Sequence, residues 1–249
     1  MTIPRIASDQ PLTTGAKISL SAAQHHYLQH VLRLAVGDKL HLFHGASGEY
    51  AAVIAELSKR EGALTVGVQM RPPHLSPDFW VCFAPVKAGR TESILEKVTE
   101  LGARVICPVL TKRSVVDKLN LERAEATLRE AAEQCERLDV PEIKSMIPLP
   151  QLLASWPSDR ALFYGDESGD SPPFTPGMLA GITRAGSLVG PEGGFTAEEF
   201  AQIRHVKSAR GVSLGPRILR SDTASITLSA LLIASLGDWH ERPRFRPTE

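Results

Sequence analysis

The early part of the chain alternates apolar and polar positions over short stretches. Residues 39–43, Lys-Leu-His-Leu-Phe, follow a period of two and predict a strand. Residues 49–56 and 63–69 read as two further strands, split by Lys59-Arg60-Glu61-Gly62. Ahead of them Tyr27, Leu28, Val31 and Leu32 fall on one helical face. This predicts a helix over residues 22–33 with Ser21 as its N-cap. Gly37-Asp38 and the stretch from Gly45 to Gly48 have turn composition. One helix among short strands and tight turns implies a small β-barrel.

Pro72, Pro73 and Pro77 then interrupt regular structure, and a domain boundary is expected there, with domains over residues 1–72 and 73–249. Beyond it the rhythm changes. Residues 79–85 form an apolar run, a helix is expected over 91–101 with Thr91 as cap and Gly102 as its end, and 105–110 is again apolar. This strand–helix–strand unit implies a parallel sheet covered by helices, hence an α/β fold. Leu121, Leu128, Ala131, Cys135 and Leu138 mark a helix over 121–138. Short strands follow at 161–164, 187–189 and 211–214, with helices at 197–207 and 223–236; the last is nearly uncharged and should be buried.

Composition narrows the picture little. The 249 residues are 43% hydrophobic and 22% charged, ordinary for a globular protein. No apolar run reaches the roughly 18 residues that suggest a membrane span, and Met1 to Arg5 has no signal-peptide pattern. Cys82, Cys107 and Cys135 are widely spaced and odd in number, which disfavours a zinc site or disulfide framework and suits a reducing cytoplasm. Six of the eight histidines precede residue 75, and no His-x-x-x-His pair there has a third plausible metal ligand near it, so no metal is expected. With 28 basic and 28 acidic residues the net charge is zero, so any contact with nucleic acid depends on local clusters, such as Arg242, Arg244 and Arg246.

Candidate chemistry lies in two glycine-rich loops, each directly after a short apolar strand. The first is Val189-Gly-Pro-Glu-Gly-Gly-Phe195, leading into Thr196 with Glu199 three residues on, a capping-box pattern. The second is Leu214-Gly-Pro-Arg-Ile-Leu-Arg220, leading into Ser221-Asp-Thr-Ala224. Open α/β sheets bind ligands at such junctions, and glycine lets a ligand approach the main chain. Neither loop matches a dinucleotide or P-loop fingerprint, which disfavours a nicotinamide oxidoreductase or a nucleotide hydrolase. By spacing alone, two structural turns remain as good a reading.

The paired motifs Gly190-Pro-Glu-Gly-Gly-Phe195 and Leu214-Gly-Pro-Arg-Ile-Leu-Arg220, with Asp222-Thr-Ala224, resemble those of SPOUT methyltransferases. More narrowly, the chain resembles the 16S rRNA (uracil-N3)-methyltransferase family. His25-His26-Tyr-Leu28, Val31-Leu-Arg-Leu34 and Gly37-Asp38 match its N-terminal part. Lys87, Glu96-Lys97, Glu100-Leu-Gly102, Pro108, Arg113-Ser114, Glu130, Glu133-Gln134, Arg137 and Pro141 match its centre. Asp222 stands where the family commonly has Glu, and Ser221 where Thr is frequent.

The resemblance implies a PUA-like N-terminal barrel that helps hold RNA. It also implies a SPOUT-type parallel sheet with a deep trefoil knot, through which the last helix threads. Methylation would use S-adenosyl-L-methionine, on 16S ribosomal RNA or the small ribosomal subunit, by a cytoplasmic homodimer without a membrane anchor. The cofactor pocket would involve Leu162, Tyr164 and Gly165, then Val189, Gly190, Pro191, Glu192, Gly193 and Gly194, then Leu214, Gly215, Ile218, Leu219, Arg220, Thr223 and Ala224. Arg33, Lys87, Lys97, Arg113, Gln134 and Arg137 would meet RNA. Uracil N3 carries a proton at neutral pH, so a base or a cation that stabilises the uracil anion is needed. Arg220 is the candidate cation and Glu192 the candidate base. A SPOUT enzyme acting on another RNA, or a non-catalytic RNA-binding or assembly protein, are the alternatives.

Overall fold

The computed structural model describes residues 3–241 apart from Arg60 and Ala88, in two compact units. One unit comprises residues 3–75 with Ala132–Val140, the other Ser76–Ala131 with 141–241. The arginine cluster at 242, 244 and 246 lies outside the described residues.

The first unit is a five-stranded sheet. Strands β1 (Arg5–Ala7), β2 (Lys17–Ser19), β3 (Lys39–His44), β4 (Gly48–Leu57) and β5 (Gly62–Arg71) take the order β1-β3-β4-β5-β2. β1 runs parallel to β3, and the remaining pairs are antiparallel. Alternation along β3 to β5 sends Leu40, Leu42, Ile54, Leu64 and Val66 into one core with Ile6, Leu12, Ile18 and Leu28. Gly48 (φ 87°) has no substitute in its turn, because a Cβ there would lie 2.2 Å from the Arg71 carbonyl oxygen. Ser21 caps α1 (Ala22–His26) in a reciprocal capping box with Gln24. The helix continues as a π turn over Tyr27–Val31 and stops before Arg33, whose φ of 55° is left-handed.

A buried carboxylate organises this unit. Glu49 is fully buried between Arg5 Nε (2.7 Å) and Arg71 Nε (2.6 Å). Both guanidiniums also hold carbonyls of the returning segment. Arg5 donates to Ala132 O (2.9 Å), Glu133 O (3.4 Å) and Arg137 O, and Arg71 donates to Glu136 O (3.0 Å). This capture explains a correction. Helix α3 (Leu121–Gln134) stops four residues before the expected end, and Glu136 takes a left-handed φ of 63°. Two of the carbonyls that would accept the next helical bonds, those of Ala132 and Glu133, are engaged by Arg5.

The second unit is a seven-stranded sheet in which every pair is parallel. Strands β6 (Phe79–Phe83), β7 (Val105–Leu110), β8 (Glu142–Ile143), β9 (Ile147–Pro148), β10 (Ala161–Gly165), β11 (Ala185–Val189) and β12 (Ala209–Val212) take the order β12-β10-β11-β6-β7-β8, with β9 on β7. Burial on both faces explains why the longer strands read as continuous apolar runs. One face, with Leu162, Tyr164, Leu188, Cys82 and Cys107, packs on α4 (Leu149–Ala154) and α5 (Ala197–His205). α2 (Arg90–Leu101) packs on α6 (Ser221–Leu236), which lies on β6 and β11. Small serines allow that approach: Ser187 of β11 and Ser229 of α6 are fully buried with their Oγ atoms 3.4 Å apart.

Thr91 is not the cap of α2; Gly89 holds that position in a left-handed conformation. Thr91 Oγ1 instead accepts from Val86 N (2.9 Å) and donates to Val86 O (2.7 Å), closing the loop after β6. The chain leaving β12 passes along an earlier segment, with Ser213 N donating to Pro172 O (2.9 Å) and the 3-10 turn Pro176–Leu179 against α6. The last helix thus packs beside chain that precedes β11.

Candidate active site

Three loops meet at the carboxyl ends of β10, β11 and β12 around a cavity of about 390 Å³. That volume is in the range of small-molecule sites, and the place is where a parallel sheet binds ligands.

The loop after β11 is built by close contacts. Gly190 faces the Phe195 ring, which a Cβ would approach to 3.2 Å. Arg113 Nη1 donates to Gly193 O (2.7 Å), so this arginine braces the loop from behind. Thr196 and Glu199 form the expected capping box at the start of α5, and Glu199 Oε1 also accepts from Lys112 N (2.7 Å). Ser221 Oγ donates to Gly190 O (2.6 Å) and ties this loop to the one after β12.

In the loop after β12, Gly215 has a φ of 100° and open space where a Cβ would be. Ile218 is 87% exposed beside the cavity. Among the described residues, the amides of Arg217, Ile218 and Leu219 make no hydrogen bond, and neither the Arg217 nor the Arg220 guanidinium has a partner. Arg220 occupies the N-cap position of α6 without a side-chain cap bond.

The third loop, Gly165 to Gly169, was expected to contribute only Gly165. Asp166 and Glu167 also line the cavity. Asp166 is buried; its Oδ1 accepts from Ser168 N (2.9 Å) and Ser168 Oγ (2.7 Å), its Oδ2 from Ser171 Oγ (2.6 Å). Burial alone would raise its pKa, but these bonds and the Arg204 guanidinium 3.6 Å away outweigh it and hold the carboxyl below the usual aspartate value. An Asp two residues before a Ser, directly after a strand and between glycines, was the signal available in the sequence.

Of the expected cofactor residues, Gly165, Val189, Gly190, Pro191, Glu192, Gly194, Leu214, Gly215, Ile218, Leu219, Arg220 and Ala224 line this cavity. Leu162 and Tyr164 belong to the core beneath it, Gly193 faces Arg113, and Thr223 is exposed on α6. Gly169, Phe195, Phe200, Ser213, Pro216, Arg217 and Ser221 complete the lining. Glu192 is not free: Arg90 Nη1 stands 3.4 Å from its Oε1.

The expected RNA contacts fare differently. In the second unit Lys87 is exposed just after β6 and has no partner among the described residues, whereas Lys97 is held by Glu96 (2.7 Å) and Glu100 (2.9 Å). In the first unit Arg33 and Gln134 are exposed. Arg137 does not lie on a polar helix face; its side chain is 8% exposed and donates to Asp139 Oδ2 (3.1 Å). Among the described residues no group of three His, Cys, Asp or Glu is arranged to hold a metal ion.

The cavity fits S-adenosyl-L-methionine. Unpartnered amides and the Leu214, Ile218, Leu219, Phe195 and Phe200 side chains suit an adenine ring, and the charged lining suits an amino-acid end.

Comparison with known proteins gives concordant matches. A family model for an RNA methyltransferase domain matches residues 74–233, and one for an RNA methyltransferase PUA domain matches residues 20–66. The ribosomal RNA small subunit methyltransferase E of Rickettsia conorii is 31% identical, covering 91% of this chain and 93% of its own. That of Synechocystis is 32% identical, covering 89% and 74%. Among solved structures, ribosomal RNA small subunit methyltransferase E from Neisseria gonorrhoeae, bound to S-adenosylmethionine, superposes with a TM-score of 0.84 at 25% identity, covering 96% of this chain and all of that one. A Legionella pneumophila protein described as a methyltransferase, also with S-adenosylmethionine bound, gives 0.84 at 27% identity, with 96% of this chain and 100% of that one covered.

Proposed function

The chain belongs to the ribosomal RNA small subunit methyltransferase E family, and from that premise we propose that it methylates N3 of one uridine in 16S ribosomal RNA. It is an S-adenosylmethionine-dependent RNA methyltransferase with a PUA-like barrel and a SPOUT-type catalytic unit. The convergence of three glycine-bearing loops on one cavity, with unpaired main chain on one wall and unpaired arginines at its edge, carries this reading.

When bound, S-adenosylmethionine supplies a methyl group activated by its sulfonium. The protein's own part is positioning and charge. Main-chain groups between Gly215 and Arg220 would hold the adenine, and the braced loop from Gly190 to Phe195 would shape the opposite wall. N3 lies on the base-pairing edge, so the target base must be unpaired or extruded. Arg220, unpaired at the helix start, would stabilise the uracil anion as the N3 proton leaves. Glu192 could take that proton only after releasing Arg90. Lys87, Arg33 and Arg113 are the expected RNA-gripping cations that are exposed, and Arg113 is also tied to Gly193 O.

The domain over residues 1–72 would hold RNA and the remainder would carry the chemistry. A homodimer in the cytoplasm is the assembly proposed; no helix among the described residues is long and apolar enough to cross a membrane. Sedimentation at micromolar concentration tests the dimer, and a monomer alone would exclude it.

The decisive experiment is methyl transfer from labelled S-adenosylmethionine to small ribosomal subunits lacking their modifications, with nucleoside analysis. The expected product is 3-methyluridine at one site. A different methylated nucleoside, or transfer only to another RNA, would overturn the proposed substrate.

A further inference from the structure

The cavity contains a carboxylate that the proposed chemistry leaves unused. β10 ends at Gly165, and the inward Asp166 closes a turn by accepting from Ser168 N. Asp166 accepts three hydrogen bonds from Ser168 and Ser171 and faces the Arg204 guanidinium at 3.6 Å, so it fixes the loop and already has a cation beside it. The next residue, Glu167, lines the cavity.

The opposite wall makes room for Glu167. Gly194 has a φ of 65°, and a Cβ on it would lie 2.1 Å from Glu167 Oε1 and 3.2 Å from its Cδ. The carboxylate thus rests over the bare Cα of Gly194, between the loops after β10 and β11.

Three carboxylates line the cavity: Asp166, Glu167 and Glu192. The first is held by two hydroxyls, an amide and the nearby Arg204, and the third faces Arg90. Among the described residues Glu167 has no cation and no hydrogen-bond donor. S-adenosylmethionine brings two positive groups, a sulfonium and an α-ammonium. Glu167 is exposed at the edge of the cavity, and a cation held beside it gains a charge-assisted contact. We propose that Glu167 is the counter-charge that recognises a cationic group of the bound cofactor, a role that rests on the reading of this cavity as the S-adenosylmethionine site. Leu214, Ile218 and Leu219 then face the neutral adenosine end.

The test is a calorimetric comparison of wild type and Glu167→Gln with three ligands: S-adenosylmethionine, S-adenosylhomocysteine and 5′-methylthioadenosine. The second lacks the sulfonium, and the third lacks both positive groups. Loss of a charge-assisted contact should weaken S-adenosylmethionine about tenfold or more, with methylthioadenosine unchanged. S-adenosylhomocysteine weakens equally if the α-ammonium is the partner and keeps its affinity if the sulfonium is. Equal binding of all three by both proteins overturns the proposal. So does an equal loss for all three, which would mean a ribose contact or a structural role. Wild type that binds none of them would sink the cofactor site itself, whereas wild-type binding with an unaffected variant would sink only Glu167.

Discussion

Glu49→Ala tests how the barrel unit holds the segment that returns to it. The substitution deletes a carboxylate with no solvent exposure and removes its ion pairs with the buried Arg5 and Arg71 guanidiniums. Removing one partner of a buried ion pair costs about 3–5 kcal/mol. In a protein of this size each kcal/mol moves Tm by about 2–4 °C, so the expected fall is on the order of 10 °C. Thermal melts followed by circular dichroism measure it. A fall below about 3 °C would refute the idea that charge compensation at Glu49 matters, on the same scale. The triple variant Arg5→Met, Glu49→Leu, Arg71→Met separates two effects. Apolar replacement of a buried ionic cluster is often neutral, but here the arginines also hold the Ala132, Glu133, Glu136 and Arg137 carbonyls. Recovery should therefore be incomplete, and full recovery would mean that those carbonyl bonds contribute nothing.

Arg220→Ala should lower methyl transfer by about a hundredfold while S-adenosylmethionine affinity, read by calorimetry, stays within about twofold of wild type, a difference of under 1 kcal/mol; an active variant would remove Arg220 from the chemistry. Gly186→Ala places a Cβ 2.7 Å from Trp156 Cη2 and 3.2 Å from Trp80 Cβ. Because the Trp156 indole is anchored by its Nε1 bond to Arg160 O (2.9 Å), urea unfolding should show a loss of about 1–3 kcal/mol. The pH dependence of Asp78 has a definite sign. Burial would raise its pKa, but hydrogen bonds from Arg184 and Arg160 outweigh burial and lower it. A depressed carboxyl stabilises the fold above its unfolded value near 3.8, and that contribution fades as pH falls through the lower folded value. The stability gap between wild type and Asp78→Asn should thus be widest near neutral pH and narrow below 3.8; a gap that is constant in urea titrations from pH 7 to pH 3 would contradict this.

Local pattern was enough for the elements whose signal lies within a few residues. The period-two run at 39–43, the Ser21 N-cap, the Thr196–Glu199 capping box and the Gly102 helix end all form as local chemistry dictates. The two glycine-rich loops were legible for the same reason, since each follows an apolar strand and opens a helix. Tertiary structure alone decided three things. It ended α3 at Gln134, where the carbonyls of its last turn, Ala132 and Glu133, are engaged by Arg5, more than a hundred residues away in sequence. It turned Arg137 inward onto Asp139, where a helical projection would have left it in solvent. And it brought Asp166 and Glu167 to the cavity, because β10 is paired between β11 and β12 and its loop ends beside theirs. Propensity and periodicity describe neighbours along the chain, whereas strand order and buried charge pairing join residues that the sequence keeps far apart.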